Sequence, residues 1–146
     1  MHLITIQLGE YRVSTDVDVV LATDSLGSCI AVTIYDPIAQ LGGLLHSQLS
    51  EICGDPGVSK LLDEAFRWGG KKERLLVTIT SGGHTESPNG SKKNYLAVRK
   101  SLWKLGVMLQ SEKTGGSAAD SVRLEIATGR CWLSDLDKVG HEVVLT

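Results

Sequence analysis

The chain has 146 residues, with 15 Lys and Arg against 17 Asp and Glu and a formal net charge of -2. Without a basic block, it offers no interface for non-specific nucleic-acid binding. No apolar run approaches the roughly 18 residues of a membrane span, and no secretory leader is recognisable. We therefore expect a soluble cytoplasmic protein without direct membrane insertion. Residues 1–146 fit a single domain, long enough to bury roughly two-thirds of the surface that the unfolded chain would expose.

The first third of the chain has the composition of β-strands. β-Branched and apolar residues alternate or run together in three stretches, residues 3–8, 17–22 and 30–35. That pattern is typical of strands. Asp36 and Pro37 then form a turn signal, and the strand pattern resumes at residues 42–46. The sequence thus predicts a β-hairpin over residues 29–46.

Two amphipathic helices are expected next. Asp55 can cap the first helix, with Pro56 at its first position and glycines 69–70 at its end. Its apolar face contains Leu61, Leu62, Ala65 and Phe66. Ser91 can cap the second helix, which ends near Gly106. Its apolar positions are Tyr95, Val98, Leu102 and Leu105.

The remaining elements complete an α+β fold. We predict a buried strand at residues 75–79, a short strand at 107–109, and a closing hairpin of strands 122–126 and 131–133. A mobile loop is expected over residues 115–119. The expected architecture is a single-domain α/β sandwich, mostly antiparallel, with two main helices.

A possible nucleophile follows a Gly-Ser turn. Cys29 lies six residues after Thr23 and seventeen before His46, and the predicted hairpin brings Cys29 and His46 close together. An imidazolium beside a thiol increases the thiolate fraction and can then protonate a leaving amine. Thr23 can orient the ring through its hydroxyl or its backbone carbonyl. Backbone N–H groups around Gly27 and Ser28 can receive an oxyanion.

Other interpretations of these residues remain open. A cysteine in an apolar sequence is often a small core residue, which we expect of Cys131. Cys29, His46, Cys53 and His84 could form a zinc site, but no pair of them has the short spacing typical of such sites. The spacing therefore gives no support for a metal site. Three cysteines without C-x-x-C spacing also argue against a secreted disulfide framework.

These motifs resemble a known family. Residues 26–30 (Leu-Gly-Ser-Cys-Ile), 35–37 (Tyr-Asp-Pro) and 42–46 (Gly-Gly-Leu-Leu-His) closely resemble the chemoreceptor glutamine deamidase family, CheD, of bacterial and archaeal chemotaxis. The resemblance extends through residues 81–83, 94–99, 115–116, 122–124 and 128–130. The family's catalytic cysteine, histidine and threonine fall on Cys29, His46 and Thr23.

The resemblance implies an activity and partners. Members deamidate selected glutamines on the helical cytoplasmic part of methyl-accepting chemotaxis receptors, through a thioester and with release of ammonia. Some also hydrolyse glutamyl methyl esters, and members bind a CheC-type phosphatase. The family fold is an α/β sandwich similar to cysteine-dependent toxin deamidases. The resemblance implies neither a metal nor an organic cofactor.

Three departures from the family pattern concern specificity. Residues 47–50 read Ser-Gln-Leu-Ser where members usually have Met-Leu-Pro, Ser25 replaces a glycine, and His84 replaces an alanine. None of them alters the three catalytic positions. The rival interpretation is a binding module that docks on receptors or on the phosphatase with little catalysis. The presence of all three catalytic residues favours the enzyme.

Overall fold

The computed structural model describes residues 2–24, 30–47, 56–81, 91–107, 109–113, 121–134 and 142–144. Within these ranges the chain forms ten strands and two α-helices. The strands are β1 (His2–Thr5), β2 (Tyr11–Ser14), β3 (Val19–Thr23), β4 (Ile30–Asp36), β5 (Leu41–Ser47), β6 (Leu76–Ser81), β7 (Leu109–Lys113), β8 (Ser121–Glu125), β9 (Cys131–Ser134) and β10 (Glu142–Val144). The helices are α1 (Pro56–Arg67) and α2 (Ser91–Lys104), with a short 3-10 helix at Lys72–Arg74.

The strands form two five-stranded sheets in the described part of the chain. Sheet A has the order β1-β3-β8-β9-β10, and sheet B has the order β2-β5-β4-β6-β7. The pairs β1–β3 and β6–β7 are parallel, and the other pairs are antiparallel. The prediction of a mostly antiparallel α+β fold with two helices is confirmed.

Strands β4 and β5 form the predicted hairpin, with Ile30 opposite Ser47 and Asp36 opposite Leu41. The connecting turn is held by the Asp36 carboxylate, which accepts hydrogen bonds from the N–H groups of Ile38 and Ala39 at 3.0 and 3.1 Å. Such Asx-type bonds satisfy the backbone groups that a turn leaves unpaired.

One side of sheet B packs against the helices. Buried residues Val58, Leu61, Leu62 and Ala65 of α1 follow the helical period and contact the apolar side chains of β4, β5 and β6. Phe66 and Leu105 were expected on the apolar faces, but they are 38% and 37% exposed. Phe66 lies at the edge of the buried stripe of α1, and Leu105 follows the last residue of α2.

The other side of sheet B packs against sheet A. The residues of this inter-sheet core include Leu21, Ala31, Leu44, Val122, Leu124 and Ile126. Gly42 allows the sheets to approach closely, because a Cβ atom there would overlap the side chain of Ile126. The two faces of sheet B therefore belong to two separate apolar cores, as expected when side chains alternate along a strand.

Several elements differ from the sequence prediction. β2 and β10 were not predicted, and β2 is a partly exposed edge strand without an apolar run. β7 begins at Leu109, not at Val107, because the N–H of Val107 donates to the Leu102 carbonyl at the end of α2. Asp55 and the loop predicted over residues 115–119 lie outside the described residues.

Candidate active site

His46 lies near the end of β5, and hydrogen bonds hold its backbone. Its N–H donates to the Glu10 carbonyl at 3.1 Å, and its carbonyl accepts from the N–H of Gly9 at 2.8 Å. On the other edge of β5, His46 is directly opposite Ala31 of β4. The residue is only 4% exposed. The neighbours on both edges of β5 therefore fix the position of the His46 backbone, from which the imidazole side chain extends.

Thr23 approaches the same imidazole from the other sheet. It is the last residue of β3 and is fully buried. Its Oγ1 lies 2.7 Å from Nδ1 of His46 and 2.9 Å from the carbonyl oxygen of Ile6. The packing of sheet A on sheet B therefore joins two residues that are 23 positions apart.

These two contacts decide where the imidazole proton lies. The Ile6 carbonyl can only accept, so the Thr23 hydroxyl donates its proton to that oxygen. Oγ1 must then accept from Nδ1–H of His46. With the proton on Nδ1, the Nε2 atom has a free lone pair. This is the tautomer that a general base requires.

Burial lowers the pKa of His46 below its ordinary value of 6.5, and the backbone carbonyl of Ile6 acts in the opposite direction. The imidazole is therefore neutral near pH 7 before any substrate binds. The sequence analysis expected an imidazolium beside the thiol. The structure favours a neutral ring, so a charged ring would have to arise by proton transfer from another group.

The sequence is similar to proteins of known family. Residues 46–135 match the family model described as CheD chemotactic sensory transduction. A protein from Solibacter usitatus named probable chemoreceptor glutamine deamidase CheD is 37% identical, over 94% of this chain and 92% of its own length. The chain belongs to the CheD family. The chemoreceptor glutamine deamidase CheD of Thermotoga maritima is 36% identical, over 86% of this chain and 87% of its own.

Solved structures with a similar fold are more distant. Neisseria meningitidis protein NMB0706, of the DUF152 family, superimposes with a TM-score of 0.53 at 11% identity, covering 80% of the CheD-family chain and 64% of its own. The hypothetical protein YfiH of Bacillus licheniformis gives a TM-score of 0.51 at 15% identity, covering 71% and 49%. At this identity the likeness shows the fold alone. The expected likeness to toxin deamidases stays a prediction.

Three of the predicted site residues of the CheD-family chain, Gly27, Ser28 and Cys29, lie outside the described residues. Their chain neighbour Ile30 pairs with Ser47, the residue after His46. The predicted hairpin therefore brings the sequence neighbours of Cys29 and His46 together. The catalytic roles of Cys29, His46 and Thr23 stay predictions.

The zinc alternative also stays untested, because Cys53 and His84 lie outside the described residues together with Cys29. Among the residues that the structure describes, no group of three or more His, Cys, Asp or Glu could hold a metal ion. In the same part of the chain, neither helix is long and apolar enough to cross a bilayer.

Cys131 has the environment of a core residue. It is 1% exposed, and its Sγ lies 3.7 Å from Oγ1 of Thr33. Burial raises the pKa of its thiol to about 11, although the contact with Thr33 acts in the opposite direction. This thiol stays protonated at neutral pH and is a poor nucleophile.

Sequence reasoning missed one part of the site, the Ile6 carbonyl. It is a backbone group, which every residue type carries, so the sequence does not single it out. The polar face of β6 was also missed, because residues 75–79 were interpreted as a continuous apolar run. The alternation of Val77 and Ile79 with Thr78 and Thr80 indicates a strand with one polar face.

Proposed function

We propose that this protein is a chemoreceptor glutamine deamidase, which converts selected glutamine side chains of methyl-accepting chemotaxis receptors to glutamate and releases ammonia. The observation that carries the proposal is the buried pair of Thr23 and His46, which leaves Nε2 of a neutral imidazole free as a base. Relatives over most of the chain are named for this activity, which supports the same conclusion.

In this proposal Cys29 is the nucleophile. Its S–H gives its proton to Nε2 of His46, and the resulting thiolate attacks the carbonyl carbon of the glutamine side chain. A C–S bond forms and the carbonyl electrons move onto oxygen. Backbone N–H groups around Gly27 and Ser28 would stabilise that oxyanion, and one such donor typically lowers the activation free energy by about 3 kcal/mol.

The imidazolium then acts as the acid. It returns the proton to the nitrogen of the tetrahedral intermediate, the C–N bond breaks, and ammonia leaves a thioester. Nε2 is again a base and takes a proton from water as the water attacks the thioester. The C–S bond then breaks, and the imidazolium returns this proton to the sulfur atom. The products are glutamate and the regenerated thiol. The Thr23 hydroxyl holds the ring in one orientation through both halves of the reaction.

The lowered pKa of His46 fits this sequence of steps. A neutral ring can accept the thiol proton, whereas a ring protonated beforehand could not. Once the proton has moved, the thiolate and the imidazolium stabilise each other, and their attraction is strong in a buried site.

The proposal extends to the setting of the enzyme. Residues 1–146 would form one CheD-like domain that works in the cytoplasm, where the helical part of the receptors lies. A CheC-type phosphatase as partner and hydrolysis of glutamyl methyl esters remain predictions from the family resemblance. The alignment with the Solibacter usitatus relative over 92% of its length supports a single domain.

Replacement of the nucleophile tests the proposal. Cys29→Ala should abolish both ammonia release from a receptor cytoplasmic fragment and the conversion of its glutamines to glutamate, measured by mass spectrometry. Cys131→Ala is the matched control, because it removes a buried thiol that stays protonated, and it should retain activity in the folded protein. An equally active Cys29→Ala variant would contradict the nucleophile, and an inactive parent would favour the binding module.

A further inference from the structure

Two buried polar atoms in the described part of the chain lack a hydrogen-bond partner. One is Nε2 of His46, and the other is Oγ1 of Thr80. The residues are 4% and 1% exposed, so both side chains are shielded from bulk solvent. Native proteins satisfy most buried polar groups, and an exception calls for an explanation. The proposed reaction explains Nε2 but leaves the hydroxyl of Thr80 without a role.

The two unpartnered atoms belong to residues on either side of Ala31. In sheet B, Ala31 of β4 is directly opposite His46 of β5 and directly opposite Thr80 of β6. Directly opposite residues on neighbouring strands point to the same face of a sheet. Two strand spacings put the Cα atoms of His46 and Thr80 about 10 Å apart. The three residues form one row across the sheet.

This row faces sheet A. Ala31 belongs to the inter-sheet core, and Thr23 reaches His46 from the other side of that core. Thr23 is itself paired with Val122 in sheet A. The layer thus contains the methyl of Ala31 between an imidazole and a hydroxyl, with Thr23 and Val122 across from them. The residue between His46 and Thr80 in this row is therefore a small one.

The chemistry of the two atoms defines what they can bind. Nε2 accepts a proton or a hydrogen bond, and the Thr80 hydroxyl can donate one. A side-chain carboxamide matches both, since its nitrogen carries hydrogens and its carbonyl oxygen accepts. Donors that face a carbonyl oxygen stabilise the negative charge that grows on it during nucleophilic attack.

We propose that Thr80 is a further catalytic residue, whose hydroxyl donates a hydrogen bond to the carbonyl oxygen of the reacting carboxamide while His46 moves the protons on the other side of Ala31. This inference rests on the proposed deamidase function. It adds a side-chain donor to the backbone donors proposed around Gly27 and Ser28.

Thr80→Val tests the proposal, because valine has nearly the same shape without the hydroxyl. The expected result is a fall of about 10²-fold in kcat for receptor deamidation, as for other lost oxyanion donors. Thr80→Ser keeps the hydroxyl and should retain most of kcat. Because the hydroxyl has no partner in the free protein, Thr80→Val should also leave the melting temperature unchanged or raise it.

Thr78→Val is the matched control. Thr78 lies two residues away on the same face of β6, is 2% exposed, and already has an interaction partner. Its replacement should lower the melting temperature and leave kcat unchanged. If Thr80 had only a structural role, Thr80→Val would likewise lower the melting temperature and leave kcat unchanged. Comparison of Thr80→Val with Thr78→Val therefore distinguishes a catalytic role of Thr80 from a structural one.

The alkylation rate of Cys29 at neutral pH is the second readout. It should be the same in Thr80→Val and the parent, because the hydroxyl contacts the substrate and not the thiol. Parental kcat in Thr80→Val, or a parallel loss of alkylation and kcat, would overturn the inference alone. A parent without deamidase activity would overturn the proposed function and this inference together.

Discussion

At Thr23, one hydroxyl group makes two hydrogen bonds that decide the protonation of His46. The hydroxyl donates to the Ile6 carbonyl and accepts from Nδ1–H. Sequence reasoning left open whether the hydroxyl or the carbonyl of Thr23 orients the ring, and in the structure the hydroxyl is the group that lies 2.7 Å from Nδ1. Its removal would leave two buried polar groups unsatisfied, each at a cost of about 1–3 kcal/mol.

We expect Thr23→Val to lower kcat/KM for receptor deamidation by at least about 10²-fold, because the ring loses the group that selects its tautomer and orientation. Thr23→Ser should keep at least a tenth of the parental value, since the serine hydroxyl can make both bonds. Ammonia release from the receptor fragment measures the effect. Equal losses in the two variants would contradict the role of the hydroxyl.

The hairpin that carries His46 is anchored at its turn by Asp36. The carboxylate of Asp36, at the end of β4, accepts hydrogen bonds from the guanidinium of Arg74 at 2.8–3.0 Å and from the N–H of Lys71 at 2.9 Å. Burial alone would raise the pKa of this carboxyl, but the hydrogen bonds from Arg74 and from the backbone lower it to about 2. The β4–β5 turn is thereby tied to the segment after α1.

We expect Asp36→Asn to lower the free energy of unfolding at pH 7 by about 2 kcal/mol, because the partly exposed guanidinium of Arg74 loses its buried carboxylate partner. The folded-state pKa of Asp36 lies below its ordinary value of 3.8, so its contribution is complete above that pH and is lost as the pH falls toward 2. The difference between the parent and the variant should therefore shrink over that interval. Denaturant unfolding at a series of pH values measures it.

Arg67→Ala provides the control for this ion pair. Arg67 lies 3.5 Å from Glu64 on α1 and its side chain is 75% exposed, so the pair is screened by water. Its removal should change the free energy of unfolding by less than about 1 kcal/mol. A comparable loss in both variants, or a constant difference across the acid range, would contradict the anchoring role of Asp36.

At the scale of the whole molecule, two apolar cores have different relations to the site. The helix-side core contains Leu61 of α1, and the inter-sheet core contains Leu124 of β8. Both leucines are buried, at 0% and 1% exposure. Thr23 and His46 belong to different sheets, so the distance between them depends on the inter-sheet core.

We expect Leu124→Ala and Leu61→Ala each to cost about 2–5 kcal/mol of stability through the cavity they leave. At a temperature where both variants are folded, Leu124→Ala should lower kcat several-fold, while Leu61→Ala should leave it near the parental value. Thermal unfolding and ammonia release measure the two effects. Similar kcat in both variants would show that the Thr23–His46 contact does not depend on the packing between the sheets.

Local sequence signals were enough to predict the elements that position the site. The Asp-Pro turn and the apolar runs on either side of it predicted the β4–β5 hairpin, because two strands joined by a short connection pair in the antiparallel direction. Pro56, the helical period and the closing glycines predicted α1 in the same way. Thr23 and His46 were named as site residues because of their spacing with Cys29 and the resemblance to the CheD family, since neither residue carries a strong signal alone.

The amino-acid sequence by itself determined the hairpin, the helices and the types of residue available for chemistry, since these depend on neighbours a few positions apart. Only the tertiary structure decided that the Thr23 hydroxyl binds Nδ1, that the Ile6 carbonyl sets the tautomer, and that Thr80 lies beside Ala31. Those contacts join distant segments across and between two sheets. Their formation depends on how the sheets pair and pack, which no short stretch of the chain specifies.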